Sequence, residues 1–203
     1  MVGKTSISNR YITGKWVKID ISNRTVNTNC YQKSLQINNL LFNLNIWDTA
    51  GEEKYHAMAP IFYRGAHGAV VIFDVTNKET FNRATKWTKE LNEFAEGNPK
   101  IVLVGNKIDL PNREVSNDEA IQLAQQCNCK FFEVSALLGK NVNEVFNYLT
   151  MSIYQGRRKN SQEMGKGHKE RNNSIGNNSK GKRLNIVANN DSLPSNRNQG
   201  GCC

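Results

Sequence analysis

The 203-residue sequence predicts a three-layer α/β fold built on a mostly parallel sheet. Three short apolar runs, Gly68–Asp74, Lys100–Asn106 and Lys130–Val134, have the length and composition of strands that are buried on both faces. Helical segments separate these runs, and such alternation is typical of a doubly wound sheet with helices on each face. With 38% hydrophobic residues, the chain is long enough for one sizeable core.

The other elements follow from local signals. Lys4–Thr13 is predicted to be a helix, and residues 33–37 and 41–47 a hairpin that turns at Asn38-Asn39, a dipeptide that tolerates positive φ. Three further helices are expected where a capping residue is followed three positions later by Glu, at Thr76, Ser116 and Asn141. The last of these helices has one apolar face at helical spacing, formed by Val142, Val145, Phe146, Leu149 and Ile153.

The segment Asn106-Lys107-Ile108-Asp109 follows one of the buried strands and carries the clearest chemistry. A carboxylate such as Asp109 can accept two parallel hydrogen bonds from the N1–H and exocyclic amine of guanine, and adenine has no such donor pair. Ordinary turn residues are the plain alternative. Three more polar segments near predicted strand or helix ends favour a nucleotide site: Gly3-Lys4-Thr5, Asp48-Thr49-Ala50-Gly51 and Ser135-Ala136.

Together with Tyr63-Arg64-Gly65-Ala66 and the terminal Cys202-Cys203, these motifs resemble the Rab branch of the Ras superfamily, and within it the early-endosomal group. The resemblance covers residues 1–155, the small GTPase domain. It implies a P-loop NTPase fold that binds GTP or GDP with Mg²⁺ and acts as a membrane-anchored switch in vesicle traffic. It further implies effectors, an exchange factor and a GTPase-activating protein as partners, and a monomeric protein.

The resemblance also assigns roles to individual residues. Metal ligation is expected from Thr5, Thr25 and Asp48, and effector contact from Cys30, Trp47 and Phe62. Trp16 would pack against guanine, although a core aromatic is the alternative, and Thr25 is as readily a plain loop threonine. The nucleotide-binding set is Gly3, Lys4, Thr5, Trp16, Thr25, Gly51, Asn106, Lys107, Asp109, Ser135, Ala136 and Leu137.

Three departures from the family pattern bear on function. Glu52 replaces the glutamine that orients the attacking water, and its charge predicts slow hydrolysis. Leu137 replaces a lysine that covers guanine. The central strand and the first half of the phosphate loop do not precede Gly3, so we expect the sequence to start at an internal methionine and the sheet to lack that strand. These departures favour the alternative of a nucleotide-defective or GTP-locked scaffold.

The charge distribution separates a domain from a tail. Residues 1–154 contain 17 Lys+Arg and 15 Asp+Glu, whereas residues 155–203 contain 10 and 3. The tail has no aromatic residue after Tyr154, and its Asn, Gly, Ser and Lys content predicts disorder over 156–203. Basic tails also bind nucleic acid, but no aromatic residues interleave with these cations, so a membrane is the expected partner.

The terminal Cys202-Cys203 resembles the Rab signal that an escort protein presents to a prenyl transferase. Two prenyl groups would hold the protein on the cytoplasmic face of endomembranes, at the early endosome, with a cytosolic pool. The sequence has neither an 18-residue apolar stretch nor a signal peptide. The tail contains one apolar cluster, which is either a binding site for the escort protein or a chance feature of the sequence: Leu184, Ile186 and Val187.

Overall fold

The computed structural model describes residues 1–18, 28–49, 65–95, 97–165 and 182–189. The helices in these ranges are α1 (Lys4–Thr13), α2 (Lys78–Phe94), α3 (Asn117–Gln126) and α4 (Val142–Gly165). The strands are β1 (Asn29–Ile37), β2 (Leu40–Asp48), β3 (Gly68–Asp74), β4 (Lys100–Asn106), β5 (Lys130–Val134) and β6 (Lys182–Asn189).

The six strands form a single sheet in the order β1-β2-β6-β3-β4-β5. Only β1 and β2 pair antiparallel, and they turn at Asn38 and Asn39, which have φ values of 49° and 62°. Asparagine adopts this left-handed conformation more readily than other non-glycine residues, because its side chain can hydrogen-bond locally. The predicted hairpin and the mostly parallel sheet are confirmed.

Helices cover both faces of the sheet. On one face α1 and α4 pack together, where the rings of Tyr11 and Phe146 stack with centroids 3.9 Å apart. On the other face α2 and α3 enclose a second core around Phe73, which contacts Phe81 edge-on at 5.0 Å. All five residues of the predicted apolar face of α4 are buried. The predicted three-layer architecture is therefore confirmed.

One of the three predicted helix caps is wrong. Ser116 caps α3 in a complete capping box with Glu119, as predicted. The N-cap of α2, however, is Asn77, while the amide and hydroxyl of Thr76 both donate to the carboxylate of Asp74. Asn141 directly precedes α4, and its carbonyl accepts from the amide of Val145 at 3.3 Å, as expected of an N-cap residue. Its φ is 59°, and its side-chain amide donates to the carbonyl of Glu133 at 2.8 Å. Thr76 is held before α2 by its bonds to Asp74 at the end of β3.

The largest difference from the sequence prediction is β6, which lies within the tail that we expected to be disordered. It runs parallel to β2 from the pair Phe42 and Lys182 to the pair Asp48 and Ala188. It is also parallel to β3, where Gly68 pairs with Ile186. The resemblance places a central strand before the phosphate loop, and the sequence predicted that the sheet would lack one. In the structure β6 fills a central position between β2 and β3.

Burial on both faces explains why this short segment forms a strand. Leu184, Ile186 and Ala188 point into the core beneath α1 and α4, and Val187 is also buried. At the start of the strand, the ammonium of Lys182 lies over the ring of Tyr154, 3.9 Å from its centroid. Leu184 to Ala188 is apolar except at Asn185, which approaches the near-continuous apolar pattern of a strand buried on both faces.

Further contacts fix the register of β6 at Asn185. Its amide donates to Nδ1 of His67 at 2.9 Å, and its carbonyl accepts from the amide of His67 at 2.9 Å. The side-chain oxygen of Asn185 accepts from the side-chain amide of Asn45 at 3.0 Å. A one-residue slip would move every side chain of β6 to the opposite face of the sheet and break these bonds, so the register is specific.

Helix α4 runs through the predicted domain boundary at residue 155 and ends at Gly165. None of the helices in the described ranges is long and apolar enough to cross a membrane.

Substitution of Leu184 tests the integration of β6. Leu184→Ala removes a fully buried side chain from the main core, and we expect it to lower the free energy of unfolding by about 2–5 kcal/mol. Arg183→Ala is the matched control, because Arg183 is exposed and its loss should change stability by less than about 0.5 kcal/mol. Urea denaturation followed by circular dichroism measures both. Equal midpoints for the two variants would show that β6 does not contribute to the folded domain.

Candidate functional site

The candidate site lies at one edge of the sheet. Strands β2, β6, β3, β4 and β5 all run in the same direction, so their carboxyl ends lie along this edge. These ends carry Asp48, Asp74 and Asn106, and α1 begins nearby at Lys4. Ligands of open α/β sheets bind outside the carboxyl ends of the strands, so the fold itself selects this edge.

Gly3 forms the start of α1 in a conformation that suits glycine. Its φ is 92°, and a Cβ atom at this position would lie 2.5 Å from Nδ2 of Asn106. The Asn106 amide donates to the carbonyl of Val2 at 2.9 Å, which ties the residues before α1 to the end of β4. Any side chain at Gly3 would therefore displace Asn106 as well as strain the backbone.

Asn106 also holds the loop after β5. Its Oδ1 accepts from the amide of Ala136 at 3.1 Å, and Ala136 is buried. The adjacent Ser135 is fully buried, and its hydroxyl donates to Oδ1 of Asp109 at 2.5 Å. A second bond, from the amide of Leu138 to the Ser135 oxygen at 3.0 Å, fixes that hydroxyl in place. One connected network thus orients Asp109 beside the loop that follows β5.

Lys107 contributes a positive charge to the same region. Its φ is 69°, and its ammonium pairs with the buried carboxylate of Asp74 at 2.5 Å. The other oxygen of Asp74 accepts both hydrogen bonds from Thr76. Both oxygens of the Asp74 carboxylate therefore have partners, and Lys107 links the end of β3 to the end of β4. This bridge fixes the backbone from which the Asp109 side chain projects.

Asp48 presents a buried carboxylate whose two oxygens have no partner of good hydrogen-bond geometry among the described residues. Burial raises the pKa of Asp48, while the Thr5 hydroxyl and the Lys4 ammonium nearby act in the opposite direction. Because a buried carboxylate without well-formed hydrogen bonds is costly, this is a position that a cation would stabilise. Oxygen donors from Asp48 and Thr5 suit Mg²⁺, which is held by few protein ligands in nucleotide sites.

Lys4 begins α1 and is itself almost completely buried. The amides of the first helical turn have no partner within the helix, and the helix dipole adds positive charge at this end. Such a helix start binds phosphate groups well. Helix α1, Lys4 and Asp48 therefore place an anion-binding and a cation-binding element side by side.

The structure does not support a core role for Trp16. Its side chain is 40% exposed, just beyond the end of α1, so it is free to contact a ligand rather than fill the core. Leu137 is 45% exposed next to Ala136, in the loop that follows β5. Thr25, Gly51, Glu52, Phe62, Cys202 and Cys203 lie outside the described residues, so their assigned roles stay predictions.

Two of the predicted effector-facing residues lie side by side. Cys30 of β1 is directly opposite Trp47 of β2 in the antiparallel register. Cys30 is exposed and Trp47 is half-buried. Partial burial raises the pKa of the Cys30 thiol, so it remains neutral at physiological pH. This pair forms a small surface of mixed aromatic and thiol character at the hairpin.

One contact at this edge was not predicted. The hydroxyl of Thr49, directly after Asp48, donates to the carbonyl of Ala188 in β6 at 2.7 Å. Thr49 is buried, and Ala188 pairs with Asp48 in the sheet register. No local sequence signal links residues 139 positions apart, and only the placement of β6 brings them together. The edge that carries Asp48 therefore includes the carboxyl end of β6.

Comparison with known proteins agrees with this geometry. Residues 1–155 match the model of the Ras family. The chain belongs to the Ras family. Among curated relatives, the putative ras-related protein Rab-5B of Dictyostelium discoideum is 43% identical over 154 residues, which cover 75% of this chain and 71% of that protein.

Two plant relatives have similar identity. Ras-related protein Rab5A of Oryza sativa subsp. japonica is 40% identical over 76% of this chain and 75% of its own length. RABF2a of Arabidopsis thaliana is 42% identical over 71% of this chain and 72% of its own length. These findings confirm the predicted place of the chain in the Rab branch, within its early-endosomal group, and identify it as a GTP-binding GTPase.

The buried carboxylate of Asp48 gives a prediction for this Rab protein. Since burial raises the pKa of Asp48, the metal-free folded state binds this proton more tightly than the unfolded chain does. Stability of the metal-free protein should fall as pH rises from the unfolded-state pKa through the folded-state pKa, and remain reduced above it. Asp48→Asn should remove this loss of stability and so raise the melting temperature in chelator at neutral pH. The same substitution should weaken Mg²⁺-dependent nucleotide retention.

Calorimetry in chelator and a nucleotide-release assay with Mg²⁺ measure the two effects. Asp118→Asn is the control, because Asp118 lies on an exposed turn of α3. If Asp48→Asn lowered the melting temperature in chelator, the carboxylate would have a stabilising partner and the proposed cation position would be incorrect.

Proposed function

We propose that this Rab protein is a membrane-anchored GTP/GDP switch that regulates endocytic vesicle traffic and hydrolyses GTP slowly. The observation that carries the proposal is the network in which Asn106 joins the start of α1 to the loop after β5 and Ser135 orients Asp109. A phosphate-binding helix and a base-reading carboxylate thus belong to one rigid edge, as a purine nucleotide requires.

Each residue at the edge has a separate task. Lys4 and the first amides of α1 would hold the phosphate groups, and Asp109 would accept from the two guanine donors. Thr5 and Asp48 would hold Mg²⁺, which when bound neutralises charge on the phosphates. In the triphosphate state, Thr25 and Gly51 would order the two switch segments, and loss of the γ-phosphate would release them.

Asp109→Asn tests the base assignment. An amide can accept from N1–H and donate to the C2 carbonyl of xanthine, so the variant should lose GTP and gain xanthosine triphosphate. Competition binding of the two nucleotides to wild-type and variant protein measures the switch. Ser135→Ala is a companion variant: it removes the orienting hydroxyl and should weaken GTP binding without creating affinity for xanthosine triphosphate.

Unchanged preference for GTP in Asp109→Asn would contradict guanine recognition by this carboxylate. Weak binding of both nucleotides in every variant would instead favour the nucleotide-defective scaffold.

The GTP-locked scaffold is a second candidate, and Glu52 is the residue that favours it. A glutamate can accept a hydrogen bond from the attacking water but cannot donate one to the phosphoryl oxygens. Its charge also opposes the anionic nucleotide, at roughly 3 kcal/mol for unit charges about 5 Å apart and an effective dielectric near 20, before solvent screening. The chemical step should therefore be slow.

Glu52→Gln distinguishes a slow switch from a locked scaffold. The glutamine variant should hydrolyse GTP faster than the natural protein in single-turnover assays, because it restores the donor and removes the charge. Glu53→Gln is the matched control, since it changes the adjacent carboxylate by the same chemistry. Equal rates in Glu52→Gln and the natural protein would show that Glu52 does not act at the reacting phosphate.

Effectors, an exchange factor and a GTPase-activating protein would act on this switch. The adjacent pair Cys30 and Trp47, completed by Phe62, would provide the effector contact. A thiol at Cys30 offers less apolar area than an aromatic ring, so this surface would favour a different effector set from that of a Rab with phenylalanine at the same position.

Membrane attachment would depend on Cys202 and Cys203. One prenyl chain anchors a protein only marginally, whereas two chains anchor it stably, so we expect both thiols to be geranylgeranylated through an escort protein and its transferase. Intact-mass analysis of protein from its native cell should detect two isoprenoid groups. The double variant Cys202→Ser, Cys203→Ser should be cytosolic, and Cys30→Ser should remain on early endosomes. Endosomal retention of the double variant would contradict lipid anchoring.

A further inference from the structure

We propose that the groove between β2 and β3 is a strand-acceptor site, that Lys182–Asn189 is its removable occupant, and that occupancy is coupled to nucleotide binding. The coupling rests on the proposed function, whereas the acceptor site rests on the sheet alone. The occupant is this chain's own C-terminal segment, and the groove recognises it by parallel main-chain pairing and alternating apolar side chains.

The strand order shows that β6 holds the two parts of the sheet together. Among the described strands, β2 and β3 do not pair with each other, and β6 is the connection between the β1-β2 hairpin and the β3-β4-β5 unit. Removal of β6 would leave main-chain groups of both neighbours unpaired within the sheet. It would also remove Leu184, Ile186 and Ala188 from the core under α1 and α4. An occupied groove is therefore required for one continuous domain.

The segment that precedes β6 is polar and basic. The 16 residues 166–181 contain three Gly, four Lys or Arg and four Asn, and no aromatic residue. Such a connection adds little apolar stabilisation to the folded state. The retention of β6 thus depends on its own contacts, at the buried side chains, at His67 and at Thr49.

The contact with Thr49 provides the coupling. Its hydroxyl holds the carbonyl of Ala188, while the preceding Asp48 carries the buried carboxylate that faces Thr5 and Lys4. A Mg²⁺–nucleotide complex that stabilises Asp48 and the start of α1 would also stabilise the neighbouring end of β6. By thermodynamic linkage, β6 must then increase nucleotide affinity by the same factor.

Insertion of β6 also shortens the predicted tether. Fourteen residues follow Asn189, compared with 49 from Gln155 to Cys203. As flexible chains, these lengths correspond to about 20 Å and about 40 Å root-mean-square reach. Because β6 ends at the candidate site, the shorter tether would start at that edge. Release of the strand would lengthen the tether.

A cleavable form of the full chain tests the proposal. A protease site placed within residues 166–181 allows the connection to be cut after the protein has folded with GDP and Mg²⁺. The two pieces should co-elute in size-exclusion chromatography. A fluorescent peptide of residues 182–203 should then replace the bound piece about 5- to 150-fold faster after the nucleotide is removed with chelator than in the presence of excess MgGDP.

Two variant peptides give matched controls. Ile186→Asp should prevent replacement, because Ile186 is fully buried, whereas Arg183→Gln should replace the bound piece like the natural peptide. Loss of the C-terminal piece on cutting, with GDP retained and an unchanged melting temperature, would overturn the acceptor site. Equal replacement rates with and without MgGDP would overturn the coupling alone. Failure of the uncut protein to bind GDP would overturn the proposed function and the coupling together.

Discussion

The pairing of β6 with β2 and β3 is the constraint on which the rest of the structure depends. Main-chain hydrogen bonds on both sides of this strand join the hairpin to the other three parallel strands. The same pairing aligns Asp48 with Ala188, which places the buried Asp48 carboxylate at the edge that also carries Asn106 and the start of α1. The candidate site is therefore an outcome of sheet continuity as much as of its motifs.

The site illustrates how a few polar side chains can connect distant segments. Asn106 uses its donor for Val2 and its acceptor for Ala136, so one amide links residues that are more than 100 positions apart in the sequence. Asp48 differs, because its buried oxygens lack well-formed partners among the described residues. A fully hydrogen-bonded network positions Asp109, whereas the Asp48 carboxylate at the same edge lacks well-formed hydrogen bonds. This combination is consistent with a rigid site that is completed by a bound metal and nucleotide.

Much of the fold was predictable because burial on both faces leaves a strong signal. The bounds of β3, β4 and β5 agree with the continuous apolar runs of the sequence. The cap at Thr76 was wrong because Thr76 bonds to Asp74 and the helix starts one residue later, with Asn77 as its cap. β6 was missed because its apolar residues are few and lie in a polar, basic segment, and its stability comes from strands that are distant in sequence. The contact between Thr49 and Ala188 could not be predicted either, because it depends on the placement of β6.

Hydrogen exchange of the full-length, nucleotide-loaded protein, followed by mass spectrometry, tests the central claim most directly. If β6 is an integral strand between β2 and β3, the amides of Leu184 to Ala188 should be protected to a degree close to those of Ala69 to Ile72 in β3. Exchange of Leu184 to Ala188 at the rate of an unstructured peptide, with β3 still protected, would contradict the account.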